Sequence, residues 1–238
     1  MKSYLILVTT LLATASCAQP TGLTADGDPI PLAEYTIQNG TIQGNVDPDH
    51  LDQWVRFREL IPKKYYPEIV RFLPIDSVAA DGIDGSVAPV DDGRTQWSLM
   101  LDTTGEVPLK ELDRTMVHEF AHLLTLRLAQ VPNQGSYCHS TLSISEGCPI
   151  EGSYLDAFTD AFHPNFREGE EELDYSADKF VTDYAATNVV EDVAESFAEW
   201  VVHPERWQNG NNVAAQKVAF FNAYPELVTL KAEIRENL

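Results

Sequence analysis

The chain has 238 residues, 44% of them hydrophobic, and carries a formal net charge of -21 at pH 7. Binding of nucleic acid requires a basic surface, so this charge argues against a nucleic-acid partner. The length and the hydrophobic content are sufficient for one sizeable core, which can be divided between two lobes.

Residues 1–17 have the features of a signal peptide. Lys2 precedes an apolar run, residues 4–15, that is too short to span a bilayer as a helix of the mature protein. The run ends in Thr-Ala-Ser-Cys, which resembles the lipobox of bacterial lipoproteins except that Thr stands where Leu is usual. We therefore predict a lipid anchor at Cys17 in the bacterial cell envelope, either periplasmic or exposed at the surface. The alternative is cleavage after Ala18 and secretion.

Residues 18–44 are rich in Gly, Pro, Asp and Thr and show no sustained periodicity. This composition is typical of a flexible segment, and we interpret it as a tether that holds the folded part away from the membrane. One folded domain is predicted to follow it, over residues 45–238.

The first half of this domain predicts short elements that lead to one long helix. Helices are predicted over 49–60, where an aspartate and a proline precede the run, and over 67–73. Short strands and turns follow, and residues 95–103 alternate between apolar and polar side chains, which is the period of a half-buried strand. The run 109–130 contains no Gly or Pro and is apolar nearly all round, which is typical of a buried helix.

This long helix contains His118-Glu119-Phe120-Ala121-His122, which matches the HExxH pattern of zinc-dependent peptidases. Residues four apart lie on one face of a helix, so His118 and His122 can bind one ion, and Glu119 can reach a water on that ion. Burying two His and one Glu is costly unless a divalent cation partners all three. A shuffled chain would contain roughly 0.01 such matches, so a core helix whose histidines bond backbone carbonyls is the less favoured alternative.

Cys138 and Cys148 are the two cysteines that follow the helix. An even pair in an oxidising compartment predicts a disulfide, which would close a small loop and restrict its motion. Two reduced thiols, or two thiolate metal ligands, are the alternatives, but the spacing of the pair fits none of the usual zinc motifs.

A catalytic zinc ion needs a third protein ligand and an open position for water. The candidates downstream are His139, His163, Glu191, Glu195 and His203. Asn188 predicts the cap of a helix that ends near Val202, and on this helix Glu191 and Glu195 share one inward face. We therefore predict that Glu191 is the ligand and that Glu195 holds a histidine ring. The alternative is a capping box, in which Glu191 only satisfies backbone donors.

The HExxH motif, followed by Tyr184, Glu191 and Glu195 at their spacing, resembles the gluzincin subgroup that includes lethal factor and the Pro-Pro endopeptidases. Residues 184–195 are also similar to bacterial lipoproteins described as candidate zinc-binding metallopeptidases. The second resemblance extends over most of the folded part, and the first covers only the two site helices. The insertion around Cys138 departs from the lethal-factor pattern, so substrate specificity is not carried over.

These resemblances imply an α+β, zincin-like fold with a small N-terminal sheet over the HExxH helix and a helical C-terminal lobe. They imply a zinc metallopeptidase of gluzincin type, with one catalytic Zn²⁺ on His118, His122 and Glu191, a general base at Glu119, and a peptide or protein substrate. They also imply that Tyr184 stabilises the transition state; a packed aromatic without a catalytic role is the alternative.

Three questions stay open from the sequence. In zinc peptidases the strand before the HExxH helix commonly forms the sheet edge that pairs with the substrate, and residues 95–103 either do so or have no such role. A catalytically inactive metal-binding envelope lipoprotein would keep the ligands, although Glu119 favours an active enzyme. An amidase acting on cell-wall peptides would use the same chemistry on another substrate.

Overall fold

The computed structural model describes residues 22–24, 27–132, 138, 141–164 and 173–238. Within these residues five strands form one sheet in the order β2-β1-β3-β5-β4. The parallel pair is β3 with β5, and the other neighbours are antiparallel. The strands are β1 (Tyr35–Gln38), β2 (Thr41–Ile42), β3 (Ile69–Ile75), β4 (Gly85–Pro89) and β5 (Trp97–Asp102).

The sheet begins earlier than the sequence predicts. Strands β1 and β2 lie inside residues 18–44, and β1 pairs with β3 through Tyr35 and Phe72. Asn39 and Gly40 connect β1 to β2 with positive φ angles of 51° and 75°, the conformation of a tight hairpin turn. The prediction of a flexible tether is therefore wrong for residues 35–42. The predicted signal peptide and Cys17 lie outside the described residues.

The segment 67–73, predicted as a helix, is mostly strand. A 3-10 segment ends at Glu68, and β3 starts at Ile69. Ile69, Phe72 and Ile75 are buried in the core. A short apolar run does not distinguish a strand from a buried helix, and pairing with β5 decides the outcome here.

Strand β5 confirms the element predicted over 95–103, but it is not the edge of the sheet. It lies between β3 and β4, which excludes the edge role that the sequence left open for residues 95–103. The edge strand on this side of the sheet is β4, which pairs antiparallel with β5 from Gly85–Leu101 to Pro89–Trp97, and β2 forms the opposite edge.

The described residues contain six α-helices, numbered here in chain order. Asp47 caps the first helix and Asn188 caps the fourth, as the sequence predicts, and the second ends at Leu126, before residue 130. None of the helices in the described ranges has the length and apolar character needed to cross a bilayer. The helices are α1 (Pro48–Leu60), α2 (Leu109–Leu126), α3 (Tyr154–Phe162), α4 (Val189–Val202), α5 (Val213–Phe220) and α6 (Pro225–Arg235).

Helices α2 and α4 pack against each other in the middle of the core. Phe120 of α2 and Phe197 of α4 meet edge to face, with their ring centroids 6.4 Å apart. Phe197 also contacts Phe221, and the same cluster of buried residues continues from the sheet to the C-terminal helices. The structure is thus α+β, as predicted, with the sheet and the C-terminal helices joined through α2 and α4.

Candidate metal centre

Two helices present facing rows of polar side chains. Residues four apart share a helix face, so α2 offers one row and α4 offers the other. The two rows run in opposite directions along the chain, because His122 lies near Glu191 whereas Arg114 lies near Glu199. We call the six residues the interhelical row; they are Arg114, His118 and His122 of α2 and Glu191, Glu195 and Glu199 of α4.

The three predicted metal ligands converge on one point. The Nε2 atoms of His118 and His122 are 3.0 Å apart. Glu191 Oε2 lies 3.1 Å from the first nitrogen and 3.3 Å from the second. A tetrahedral zinc ion with bonds of ~2.0–2.1 Å separates its ligand atoms by about 3.3 Å. The three atoms therefore have the spacing of one face of a zinc coordination tetrahedron.

The surroundings of these atoms also fit a cation. His118 and His122 are 6% and 8% exposed, and Glu191 Oε2 is a buried atom that accepts no hydrogen bond. Burial would raise the pKa of Glu191, but the nearby imidazoles hold it well below its usual range. The two imidazoles are close enough to lower this pKa through electrostatic interaction, yet neither ring is oriented to donate a hydrogen bond to Glu191 Oε2. A buried carboxylate oxygen without a donor costs about 1–3 kcal/mol or more, and a bound cation removes this cost.

Glu119 lies beside this group, under the edge strand. Its carboxyl group is buried, and burial raises its pKa; the negative charge of Glu191 adds to the rise, whereas His118 and His122 oppose it. The backbone amide of Val87 donates a hydrogen bond to the carboxylate. A carboxyl group with a raised pKa is suited to accept a proton and return it near neutral pH.

Strand β4 approaches α2 closely because residue 85 is glycine. A Cβ atom at Gly85 would lie 2.7 Å from Thr115 Cγ2 and 3.3 Å from Glu119 Cγ, so a larger residue would push the strand away. Ser86 and Val87 then form one wall of a cleft of about 180 Å³ that contains the two histidines and Glu119.

Tyr184 stands at the mouth of the same cleft, on a 3-10 turn, Tyr184–Ala186. Its ring centroid is 5.9 Å from that of His118, and the residue is 53% exposed. Partial burial and the charges of Glu191 and Glu119 raise the pKa of the phenol. The hydroxyl group therefore keeps its proton at neutral pH and is able to donate a hydrogen bond.

Glu195 lies against the far side of the His118 ring. Its Oε1 is 2.8 Å from His118 Nδ1, although the ring N–H is not well aligned with the oxygen. Burial would raise the pKa of Glu195, but His118 and Arg114 outweigh it and lower the pKa to about 2. The pKa of His118, which burial would lower, rises to about 10 through Glu191 and Glu195.

Comparison with known proteins adds little to this geometry. No family model matches the chain, and no curated protein matches it. One solved structure is similar, that of a protein from Bacteroides caccae ATCC 43185 described as a candidate zinc-binding metallo-peptidase. The two are 17% identical, the match covers 77% of this chain and 70% of that one, and the TM-score is 0.37. A similarity this low supports no assignment, so the function must be argued from the site itself.

The other candidates for the third ligand lie elsewhere. His163 Nε2 is 2.8 Å from Asp192 Oδ2, in a separate buried cluster. His203 Nδ1 is 3.7 Å from the exposed Glu205, and His139 lies outside the described residues. The group that His118 and His122 form is completed by Glu191.

The Glu191 side chain does not take part in a capping box at the start of α4. The Asn188 side chain accepts a hydrogen bond of 2.9 Å from the backbone amide of Glu191. The cap uses the backbone of Glu191, and Oε2 of its carboxylate lies against the two histidines.

The predicted disulfide is present between Cys138 and Cys148. The segment before Cys148 turns at an isolated bridge between Ile144 and Gly147. Ser145 and Glu146, inside this turn, line the same cleft as the edge strand. The turn therefore contributes to the lining of the site, which the sequence did not indicate.

Two further contributors were missed from the sequence. Arg114 precedes His118 by one helical turn on the same face, and its Nη2 is 2.6 Å from Glu195 Oε2. That spacing was visible in the sequence and would have placed a cation beside Glu195. Thr182, which donates to the same carboxylate, carries no such signal, because it lies outside α4 and reaches Glu195 only through the tertiary fold.

Proposed function

We propose that this protein is a zinc-dependent endopeptidase of the gluzincin type. The observation that carries the proposal is the convergence of one ligand atom each from His118, His122 and Glu191, at mutual distances of 3.0, 3.1 and 3.3 Å. One of these atoms, Glu191 Oε2, has no hydrogen-bond donor. Two imidazoles and one carboxylate with an open fourth position form the usual ligand set of a catalytic zinc ion.

The residues around these ligands supply the parts of a hydrolytic reaction. A zinc ion bound there would act as a Lewis acid and would lower the pKa of a water molecule to about 7. Glu119 accepts a proton from the attacking water and delivers it to the leaving amine, as its raised pKa allows. The Tyr184 hydroxyl group, protonated at neutral pH, donates to the oxyanion that develops on the substrate carbonyl.

The edge strand provides a surface for an extended peptide. Strand β4 has β5 on one side, and no described strand pairs with its other side. Its residues Gly85, Ser86 and Val87 line the cleft. A peptide paired with this edge would pass over Glu119 and the ligand group, which supports a peptide or protein as the substrate.

We also propose that the protein is lipid-anchored in the cell envelope through Cys17. The lipobox-like sequence supports this, and so does the disulfide, because disulfides persist in oxidising compartments outside the cytoplasm. Metabolic labelling with a fatty acid tests the anchor: the full chain should take up label and sediment with membranes. Cys17→Ala should abolish both, and unlabelled wild-type protein would contradict the anchor.

The experiment that tests the enzyme compares wild type with Glu119→Gln on two substrates, an unfolded protein mixture and cell-wall peptide fragments. Wild type should cleave the protein mixture, and a chelator should stop it. Glu119→Gln should retain zinc at wild-type stoichiometry and lose cleavage, because an amide cannot accept the proton. Cleavage of the cell-wall fragments alone would indicate an amidase, and cleavage of neither would indicate a binding protein.

A further inference from the structure

Both oxygens of the Glu195 carboxylate are held by hydrogen-bond donors. Arg114 forms a two-pronged contact, with Nη1 3.1 Å from Oε1 and Nη2 2.6 Å from Oε2. Oε2 also accepts a hydrogen bond of 2.5 Å from Thr182 Oγ1, which leaves Oε1 to face His118 Nδ1 at 2.8 Å. A bidentate arginine contact fixes the plane of a carboxylate, so the atom that faces the histidine is fixed as well.

The Thr182 hydroxyl group connects this carboxylate to the turn that carries Tyr184. Its Oγ1 accepts a hydrogen bond of 3.1 Å from the backbone amide of Ala185 while it donates to Glu195. Ala185 is the middle residue of the 3-10 turn that begins with Tyr184. One carboxylate is therefore linked both to the far nitrogen of a metal ligand and to the turn of the tyrosine.

Arg114 also balances the negative charge of α4. Its Nε donates a 3.0 Å hydrogen bond to Glu199 Oε1, in addition to its contacts with Glu195. Within the interhelical row, Arg114 is the positively charged residue, and it lies at the opposite end of the row from Glu191. The Glu195 carboxylate faces Nδ1 of His118 at 2.8 Å, and a carboxylate on this side of the ring favours the tautomer that directs the lone pair of Nε2 toward the ion.

We propose that Arg114 and Thr182 are positioning residues of the metal centre. Arg114 fixes Glu195 so that His118 presents Nε2 to the ion, and Thr182 ties the same carboxylate to the Tyr184 turn. The metal ligand and the oxyanion donor are thus placed by one hydrogen-bonded unit. The tyrosine part rests on the proposed peptidase function, whereas the ligand part requires only a bound metal.

A neighbouring ion pair provides a matched control for Arg114. Arg56 contacts Asp113 through two hydrogen bonds of 2.6 Å and joins α1 to α2. Asp113 is buried like Glu195, but it does not belong to the interhelical row. If Arg114 only joined two helices, as Arg56 does, then replacing either arginine would have the same effect on zinc binding.

The first test measures the zinc dissociation constant of the full chain by competition with a chromogenic chelator. Arg114→Met should weaken zinc binding about 10-fold, at the lower end of the loss that is usual when a ligand's own partner is removed, because Glu195 remains but is no longer held in place. Arg56→Met should change it less than about 2-fold. Arg114→Lys keeps the positive charge but loses the two-pronged contact, so its zinc affinity should lie between those of wild type and Arg114→Met. This variant decides the test if Arg114→Met does not fold. Wild-type zinc affinity in a folded Arg114 variant would overturn the proposal.

The second test concerns Thr182, with Thr159→Val as the control. Thr159 is a buried threonine on α3 whose hydroxyl group donates to Leu155 O of its own helix. Thr182→Val should weaken zinc binding by about 3- to 10-fold and lower kcat by about 10-fold at nearly constant KM. In a Tyr184→Phe background the same substitution should lower kcat by less than about 2-fold. Equal losses in both backgrounds would show that Thr182 does not act through the tyrosine.

The two tests separate this inference from the proposed function. Cobalt-substituted protein gives a visible spectrum that reports coordination without turnover, and Arg114→Met should shift it whereas Arg56→Met should not. Should the wild type bind zinc but cleave no peptide, the metal affinities and spectra still decide the roles of Arg114 and Thr182 toward His118. The tyrosine part would then fall together with the peptidase function.

Discussion

Two histidine–carboxylate clusters begin at neighbouring residues of α4, and they differ in how their charge is balanced. Glu191 faces His118 and His122, with Oε2 buried and without a donor. Asp192 faces a buried cluster in which Lys217 Nζ and His163 Nε2 both donate to Oδ2.

The contrast shows which kind of cluster can take a metal ion. Asp192 and Lys217 are 0% and 1% exposed, so that the second cluster contains its own cation and joins α4 to α5. Among the described residues, no lysine or arginine contacts Glu191, because Arg114, the cation of the interhelical row, contacts Glu195 and Glu199 instead. Both clusters combine burial with histidine; they differ because Asp192 has Lys217 as a cationic partner, whereas Glu191 has only the two histidines.

The largest expected difference is between Glu191→Ala and Asp192→Asn. Glu191→Ala should lose most of its bound zinc and all measurable cleavage, while the protein stays folded. Asp192→Asn should destabilise the fold by about 3–5 kcal/mol, because it leaves the buried Lys217 without its partner, yet it should keep one zinc ion per chain. Elemental analysis and chemical denaturation measure both quantities. Full zinc occupancy in Glu191→Ala would reassign the third ligand.

A smaller difference separates two tyrosines of nearly equal exposure, Tyr184 at 53% and Tyr175 at 52%. Tyr184 lies beside His118, and Tyr175 contacts Phe180 next to the Asp192 cluster. Tyr184→Phe should bind zinc normally and lower kcat by about 100- to 1000-fold, the usual loss of an oxyanion donor. Tyr175→Phe should keep the wild-type rate. An unchanged kcat in Tyr184→Phe would make this tyrosine structural.

Zinc itself should stabilise one cluster and not the other. At a free zinc concentration 1,000 times the dissociation constant, binding adds about 4.1 kcal/mol, which raises Tm by about 10 °C in a protein of this size. Asp192→Asn should start from a lower Tm and gain the same increment. Glu191→Ala should gain almost none, and scanning calorimetry with and without zinc measures all three. An equal gain in Glu191→Ala would place the stabilising zinc at another site.

The smallest expected effect is on how the free energy of unfolding depends on pH in acid. The pKa of Glu195 is lowered to about 2 in the folded protein, so its contribution to stability is present above its ordinary pKa of about 4.5 and is lost as the pH falls toward 2. For the metal-free protein this contribution is on the order of 3 kcal/mol. Glu195→Gln should flatten the fall in unfolding free energy over that range, and the exposed Glu205→Gln should leave it unchanged. Equal slopes for both variants would contradict the role of Glu195.

Local spacing was sufficient to predict the helical part of the site. The HExxH pattern fixes His118, Glu119 and His122 on one helix, and the cap at Asn188 fixes the phase of α4. That phase puts Glu191 and Glu195 on one face, where the structure has them. Helix geometry repeats over four residues, so these relations need no knowledge of the rest of the fold.

The sheet was predicted less well, for two different reasons. The Asn39-Gly40 turn was a signal in the sequence that the interpretation as a tether overlooked. The order of the strands, by contrast, depends on long-range pairing, which no local pattern shows. For that reason the sequence left open whether residues 95–103 form the edge, whereas in the structure β4 forms it and brings Val87 to Glu119.

The most direct measurement is anomalous diffraction at the zinc edge from crystals of the purified full chain. We expect one peak at about 2.0–2.1 Å from each of His118 Nε2, His122 Nε2 and Glu191 Oε2. A crystal with full zinc content whose peak lies elsewhere, for example beside His163 and Asp192, would contradict it.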